Sequence, residues 1–325
     1  MNAFPELEQL EGLIARSKHF IKSRVLGYVE LPHYHKKFPI WGLVLGPTDK
    51  TLPTLGLFAG VHGLERIGTQ VVLAYLHNRI ERIFWDRLAR ERFEQCRLVI
   101  IPMVNPGGIF LKQRSNPRGV DLMRNAPVEA VEKPHFLVGG QRYSNRLPWY
   151  RGQLGAPMEQ EAQALSQFVE EEMFGASLSI ALDVHSGFGF HDRLWYPYAK
   201  TRELFPNSSE IQNLTKLLSI TYPHHVYKIE EQSQSYTTHG DLWDYLYDKQ
   251  QSTKTVNNHV FLPLTLEMGS WRWVQKNFWQ LFTRLGLFHP HKPHRTQRVL
   301  RRHLVLIDFL LRAVDNYDNW LHTKN

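Results

Sequence analysis

Apolar residues along the chain fall into two recurring patterns. Short, nearly continuous apolar runs occupy 23–31 (SRVLGYVEL), 39–46 (PIWGLVLG), 54–60 (TLGLFAG), 97–103 (RLVIIPM), 178–184 (LSIALDV), 224–230 and 258–267 (NHVFLPLTLE). They predict β-strands, several of them covered on both faces. Between them, 64–90, 158–173, 208–220, 239–249, 270–285 and 297–321 repeat apolar residues at three- and four-residue steps and predict helices. Strands alternating with helices predict an α/β fold, a three-layer α/β/α sandwich around a mostly parallel mixed sheet. The segment 125–156 has no period and is rich in Pro, Gly, Arg and Tyr. A loop of that length reads as a lid, a cleft wall or a disordered segment. No repeat of 20–50 residues and no low-complexity tract interrupts the pattern, so one domain is expected over residues 1–325.

Composition narrows the class. A chain of 325 residues with 42% hydrophobic and 22% charged positions is an ordinary globular protein. No apolar run reaches 18 residues, and the acidic start MNAFPELEQLEGLIARSKHF holds no apolar leader core. The single Cys96 has no partner for an internal disulfide and reads as a small buried apolar residue. These features predict a cytoplasmic protein without a membrane partner. The net charge of +8 is uneven: no acid lies between Glu267 and Asp308, while Arg272, Lys276, Arg284, Lys292, Arg295, Arg298, Arg301 and Arg302 do. A polyanion patch is one reading. A solvated helix face and loop is the expected one, with no nucleic acid bound, because net charge alone names no partner.

Four strand ends carry chemistry. In GLFAGVHGLERIG a strand ends, a turn holds His62, and Glu65 opens a helix three residues later, a spacing at which two side chains converge. An imidazole and a carboxylate suit Zn²⁺, although in a chain with 17 histidines such a spacing also arises by chance. In LSIALDVHSGFG a second strand ends at His185. Two strands thus deliver histidines to one sheet edge, where open α/β sheets bind ligands. Alternatively, His185 simply hydrogen-bonds Asp183 or backbone. In VFLPLTLEMGSW, Glu267 closes a third strand and is placed for proton transfer, or for a helix-start acid. After a fourth strand, NPGGIFLKQRSNPRGVDLMRN brings Arg114, Arg118 and Arg124 within eleven residues, and arginine forks suit carboxylates and oxyanions.

These motifs in this order resemble the zinc carboxypeptidase family, the carboxypeptidase A-like metallopeptidases, and its bacterial branch in particular. A more distant similarity links them to the aspartoacylase and succinylglutamate desuccinylase relatives. The resemblance rests on HGLE, NPGG, DLMRN, DVHSG and TLEMG, spanning roughly residues 55 to 270. It implies that His62, Glu65 and His185 bind one zinc ion and that Glu267 is the general base and acid. It implies that Arg114 polarises the scissile carbonyl and that Arg124 grips the substrate carboxylate, with Asn125 and Ser186 also at the substrate. Asp121 would orient His62 from behind. In SYTTHGDLWDYLYD, Tyr236, Gly240 and Asp244 reproduce the family's mobile tyrosine and the glycine and acid that follow it.

Two departures bear on specificity. Met123 stands where the family has an asparagine donor, and Trp243 falls where the specificity pocket has its base. The expected enzyme is therefore a zinc hydrolase acting on a peptide or amide bond beside a carboxylate. An N-acyl amino acid deacylase is the alternative, and a catalytically silent binder of anionic ligands is a third reading. A second metal near Asp183 and His239 stays open, whereas the exposed histidines at 33–35 and 289–294 are expected to bind none.

Overall fold

The computed structural model describes residues 4–253, 259–283 and 285–321. The first three residues, Asn258 of the last predicted strand and Arg284 of the basic run lie outside that set. In chain order the elements are α1 (Pro5–Arg16), β1 (Ile21–Leu31), β2 (Lys36–Leu45), β3 (Thr54–Ala59), α2 (Arg66–Trp85), α3 (Arg87–Arg92), β4 (Arg97–Ile101) and α4 (Pro106–Leu111). Then follow α5 (Gln160–Met173), β5 (Leu178–Ser186), β6 (Arg193–Tyr196), α6 (Ser208–Thr221), β7 (Lys228–Glu231), α7 (Leu242–Thr253), β8 (Val260–Met268), α8 (Trp271–Gln275) and α9 (Pro293–Asp315).

The eight strands form one sheet in the order β1-β2-β4-β3-β5-β8-β6-β7. Its centre, β4-β3-β5-β8, is parallel, while β1, β2 and the β8–β6 pairing are antiparallel. The residue pattern explains that division. β3, β4 and β5 are buried at every position, as strands covered on both faces must be, whereas edge strand β1 is largely exposed. α2 and α9 cover β3 and β5 on one face, and α5 and α7 cover the other. Helix α9 illustrates the cause: Val299, His303, Leu306, Leu310 and Val314 recur at three- and four-residue steps and are buried, and its other face is solvated. Burying each such aliphatic side chain contributes roughly 1.5–3 kcal/mol.

The expected α/β sandwich around a mixed sheet is what forms, with local differences. The sequence reading missed α1, although Pro5 at its first position and Leu7, Leu10 and Leu13 on its inner side mark it. It also missed α4 and the four-residue β6. The helix expected over 270–285 ends at Gln275, because Asn277 leaves helical geometry (φ −157°) before a short 3₁₀ turn at Phe278–Phe282. Segment 125–156 is held by polar contacts. Gln141 and Tyr150 form a bridge, and Arg151 donates to the Arg124 carbonyl and to Glu129.

Candidate metal centre and active site

Strand ends place His62, His185 and Glu267. After β3 the chain turns through His62 and Gly63, and Gly63 lies so close to the next loop that a Cβ there would sit 2.0 Å from the Gly108 carbonyl carbon. Asn105 locks this meeting. It caps α4 by accepting the Gly108 N–H (2.7 Å) and donates to the carbonyls of Val61 (3.2 Å) and Ser115 (3.1 Å). The Arg114 carbonyl accepts the Gly63 N–H at 3.2 Å. On the far side, His185 of β5 and Glu267 of β8 are direct partners in the parallel ladder, so their side chains share one face.

His62, Glu65 and His185 are buried, and one donor atom of each lies within 4.8 Å of the others. His62 Nδ1 is 2.8 Å from Glu65 Oε1 and His185 Nδ1 is 3.0 Å from Glu65 Oε2. Behind them, His62 Nε2 meets Asp121 Oδ1 at 3.0 Å and His185 Nε2 meets Asp183 Oδ2 at 2.7 Å. With the His62 Nε2–H given to Asp121, its Nδ1 carries a lone pair aimed at Glu65, and a neutral His185 protonated at Nε2 presents its Nδ1 in the same way. Three lone-pair donors converging in a dry site repel one another unless a positive charge sits among them. Extra protons on the imidazoles or one divalent cation supply it. Burial lowers the affinity of His185 for a proton, but Asp183 and Glu65 hold its pKa well above the ordinary range. Burial alone would raise Glu65, yet His62 and His185 keep it ionised, below the usual carboxylate value. Two imidazoles and one ionised carboxylate with an open side are the donor set of a catalytic zinc site, and these residues fit that ion.

Further carboxylates take distinct states. Asp121 accepts from Arg114 Nε (2.9 Å), and against the effect of burial Arg114 and His62 hold it well below the usual range. Burial, with Glu65 beside it, pushes the Glu267 carboxyl up to about 8. Its Oε2 has no hydrogen-bond partner among the described residues. A buried carboxyl with a raised pKa and a free oxygen is the condition for moving a proton near neutral pH.

The centre opens on a cavity of about 30 Å³, room for a water or two, lined by His62, His185, Glu267, Arg114, Arg124, Met123 and Tyr236. Arg114 reaches Glu65 Oε1 at 3.3 Å, and the Arg124 guanidinium lies 6.0 Å from the Tyr236 ring centre. Tyr236 packs against Phe188 and Trp195. The sequence reading missed Trp195, Gln232 and Thr265, which complete the lining. Thr265 was within reach, since it precedes Glu267 by two on one strand and so shares its face. Trp195 pairs with Thr265 from the unrecognised β6.

Several expectations need correction. Asn125 does not face the cavity: its Nδ2 donates to the Arg151 carbonyl (2.9 Å) and its Oδ1 accepts the Glu159 N–H. The Ser186 hydroxyl turns away to the Phe288 carbonyl (2.7 Å), while its N–H orients Glu65 Oε2 at 3.0 Å. Trp243 is not at a pocket base. The phase of α7 points it inward with Leu246 and Tyr247, against Phe58, and its Nε1–H donates to Asp183 Oδ2 at 2.9 Å. Asp244 receives the Ala199 and Lys200 N–H groups instead of facing substrate. A second metal at Asp183 and His239 has no basis, since His239 Nδ1 accepts the Ala130 N–H and Asp183 serves His185 and Trp243. Among the described residues, the one converging ligand group is His62, Glu65 and His185.

Comparison with known proteins agrees with this geometry. A family model described as zinc carboxypeptidase matches residues 27–276. Carboxypeptidase SOL1 of Arabidopsis thaliana is 23% identical over 247 residues, which cover 73% of this chain and 44% of that protein. The chain thus spans less than half the length of that relative. In fold it is similar to the carboxypeptidase A of Helicoverpa armigera (TM-score 0.70, 15% identity, covering 97% of this chain and 74% of that one). Bovine thrombin-activatable fibrinolysis inhibitor, solved with tick carboxypeptidase inhibitor, is also similar (TM-score 0.66, 16% identity, 97% and 100% covered).

Proposed function

Since the chain belongs to the zinc carboxypeptidase family, we propose that it hydrolyses a peptide or amide bond next to a carboxylate-bearing residue, as a metallocarboxypeptidase does. The observation that supports this most is the convergence of the His62, Glu65 and His185 donors beside Glu267, in a cavity that also holds two arginines. A zinc ion bound there supplies Lewis acidity and lowers the pKa of a coordinated water. The chain's own groups do the rest. Glu267 takes the proton of the attacking water at its free oxygen and returns it to the leaving nitrogen. Arg114, held in place by Asp121 and Glu65, faces the developing oxyanion. Arg124 receives the substrate carboxylate, and Tyr236 covers it.

Replacing Glu267 by Gln keeps the volume and removes the base. The variant is expected to retain about one zinc per chain by elemental analysis while turnover of a peptide substrate falls on the order of 10²–10⁴-fold. Unchanged turnover would overturn the role of Glu267. Zinc content near zero in the parent protein would overturn the metal site itself.

One observation favours a second reading. Met123, a thioether without a donor, lines the cavity beside Arg124, so position 123 brings no amide to the carboxylate subsite. An N-acyl amino acid deacylase tolerates that loss, and paired assays on peptides and N-acyl amino acids separate the two.

A further inference from the structure

The basic run expected on a solvated face is folded around a concavity. Between α8, the first half of α9 and residues 190–192 lies a cavity of about 430 Å³ that shares no lining residue with the metal centre. Arg295, Arg298 and Arg302 face it from successive turns of α9, Arg272 from α8 and Lys276 from the residue after it. The sole acid in its lining is Asp192, already engaged by the Gly269 N–H (2.9 Å) and by Arg302 Nη1 (2.6 Å). Arg295 donates to the Trp273 carbonyl at 2.9 Å, and Arg272 makes only a 3.4 Å contact with His191 Nδ1. Lys276 and Arg298 form no ion pair among the described residues.

Five permanent cations thus surround one occupied carboxylate, and the positive end of the 23-residue α9 adds to the field. Such crowding costs repulsion that no acid in this stretch offsets; an anion placed in the cavity does. We propose that this cavity is a binding site for a small ligand carrying several phosphate groups, gripped by Arg272, Lys276, Arg295, Arg298 and Arg302. Guanidinium forks match phosphate oxygens in pairs. Charge density favours phosphate over an acidic peptide. Four acidic residues of an extended chain spread their charges over about 13 Å. A triphosphate packs the same charge into a shorter span.

The phosphates come either from a soluble molecule or from a lipid headgroup. Phe278, Trp279 and Phe282, 63%, 77% and 73% exposed, follow Lys276 directly, and a hump of that composition suits a headgroup region. The test uses the full chain at 150 mM salt in two arms. Calorimetry with inorganic tripolyphosphate reads a soluble ligand; co-sedimentation with phosphatidylcholine vesicles, with and without a bisphosphorylated phosphoinositide, reads a headgroup. Saturable one-to-one binding in either arm is expected, weakened at least tenfold by Arg272→Gln with Arg298→Gln and unchanged by Arg87→Gln on the distant α3. The thermal midpoint of each variant checks folding. Binding in neither arm overturns the proposal. So does binding indifferent to the double variant, or a glutamate tetrapeptide that binds more tightly than tripolyphosphate.

Discussion

Beside the metal centre, one methionine lines the cavity. Met123 lies beside Arg124 and offers its guanidinium no helper in receiving a carboxylate. Substituting Met123→Asn supplies an amide donor at that wall. A hydrogen bond to a charged group contributes about 1.5–3 kcal/mol, so KM for a substrate with a free C-terminal carboxylate should fall about tenfold or more with kcat little changed. Steady-state kinetics check this, and a drop in kcat alone would place Met123 away from the carboxylate. That His62, His185 and Glu267 meet was legible in the chain because each lies at or just past the end of an apolar strand, and strand ends converge in an open α/β sheet. Asn125, Ser186 and Trp243 were misread for a different reason. A side chain's direction depends on the turn or helix phase that carries it, and short motifs do not encode that phase. The indole of Trp243 turns inward with α7 and holds Asp183, which no spacing along the chain announces.

Elements meet at glycines, and there the tolerance is small. Gly240 opens the turn into α7 at φ +68°, and a Cβ on it would lie 2.0 Å from the Arg124 carbonyl oxygen. Its own carbonyl accepts the Ala126 N–H at 3.1 Å, and its N–H goes to Val128. Gly240→Ala therefore meets both a left-handed backbone and rigid main chain. It should destabilise by more than the roughly 1–2 kcal/mol that the conformation alone costs, and raise KM by shifting Arg124. Denaturant melts and kinetics on one preparation test both effects; wild-type KM would show that Arg124 does not depend on this turn. Apart from the 12-residue α1, elements of ten residues or more with a clean period were readable. β6, with four residues, is too short to show a period, and α1 was read for leader character, which hid its helical repeat. The helix expected across 270–285 failed because its apolar residues suit a helix but no core lies beneath them. Phe278, Trp279 and Phe282 stay exposed.

Across the whole molecule, the buried His303 and the half-buried His289 contribute to acid sensitivity. Burial pushes His303 down to about 4, opposed by Asp192 and reinforced by Arg302, while its Nδ1 meets the Tyr227 hydroxyl at 3.0 Å. His289, at about 4, is lowered by burial and then by Arg66. In the unfolded chain both titrate near ~6.5. Between these values the unfolded state binds protons that the folded state does not. Their contribution to stability is therefore complete above about 6.5 and is lost as pH falls through about 4. His303→Gln removes one such group, so its thermal midpoint should fall less steeply between pH 6.5 and 4 than the parent's. Parallel melts in metal-free buffer check it, and identical slopes would exclude His303 as a contributor.

The ladder pairing of His185 with Glu267 has a consequence for how the protein fails. Where reactive groups ride on loops, local fraying silences a protein long before it melts. Here His185 and Glu267, the proposed zinc ligand and proton carrier, sit on neighbouring central strands, and they separate only when that ladder opens. Separation of His185 from Glu267 on heating should coincide with exchange of the most protected amides in β5 and β8, as one cooperative event.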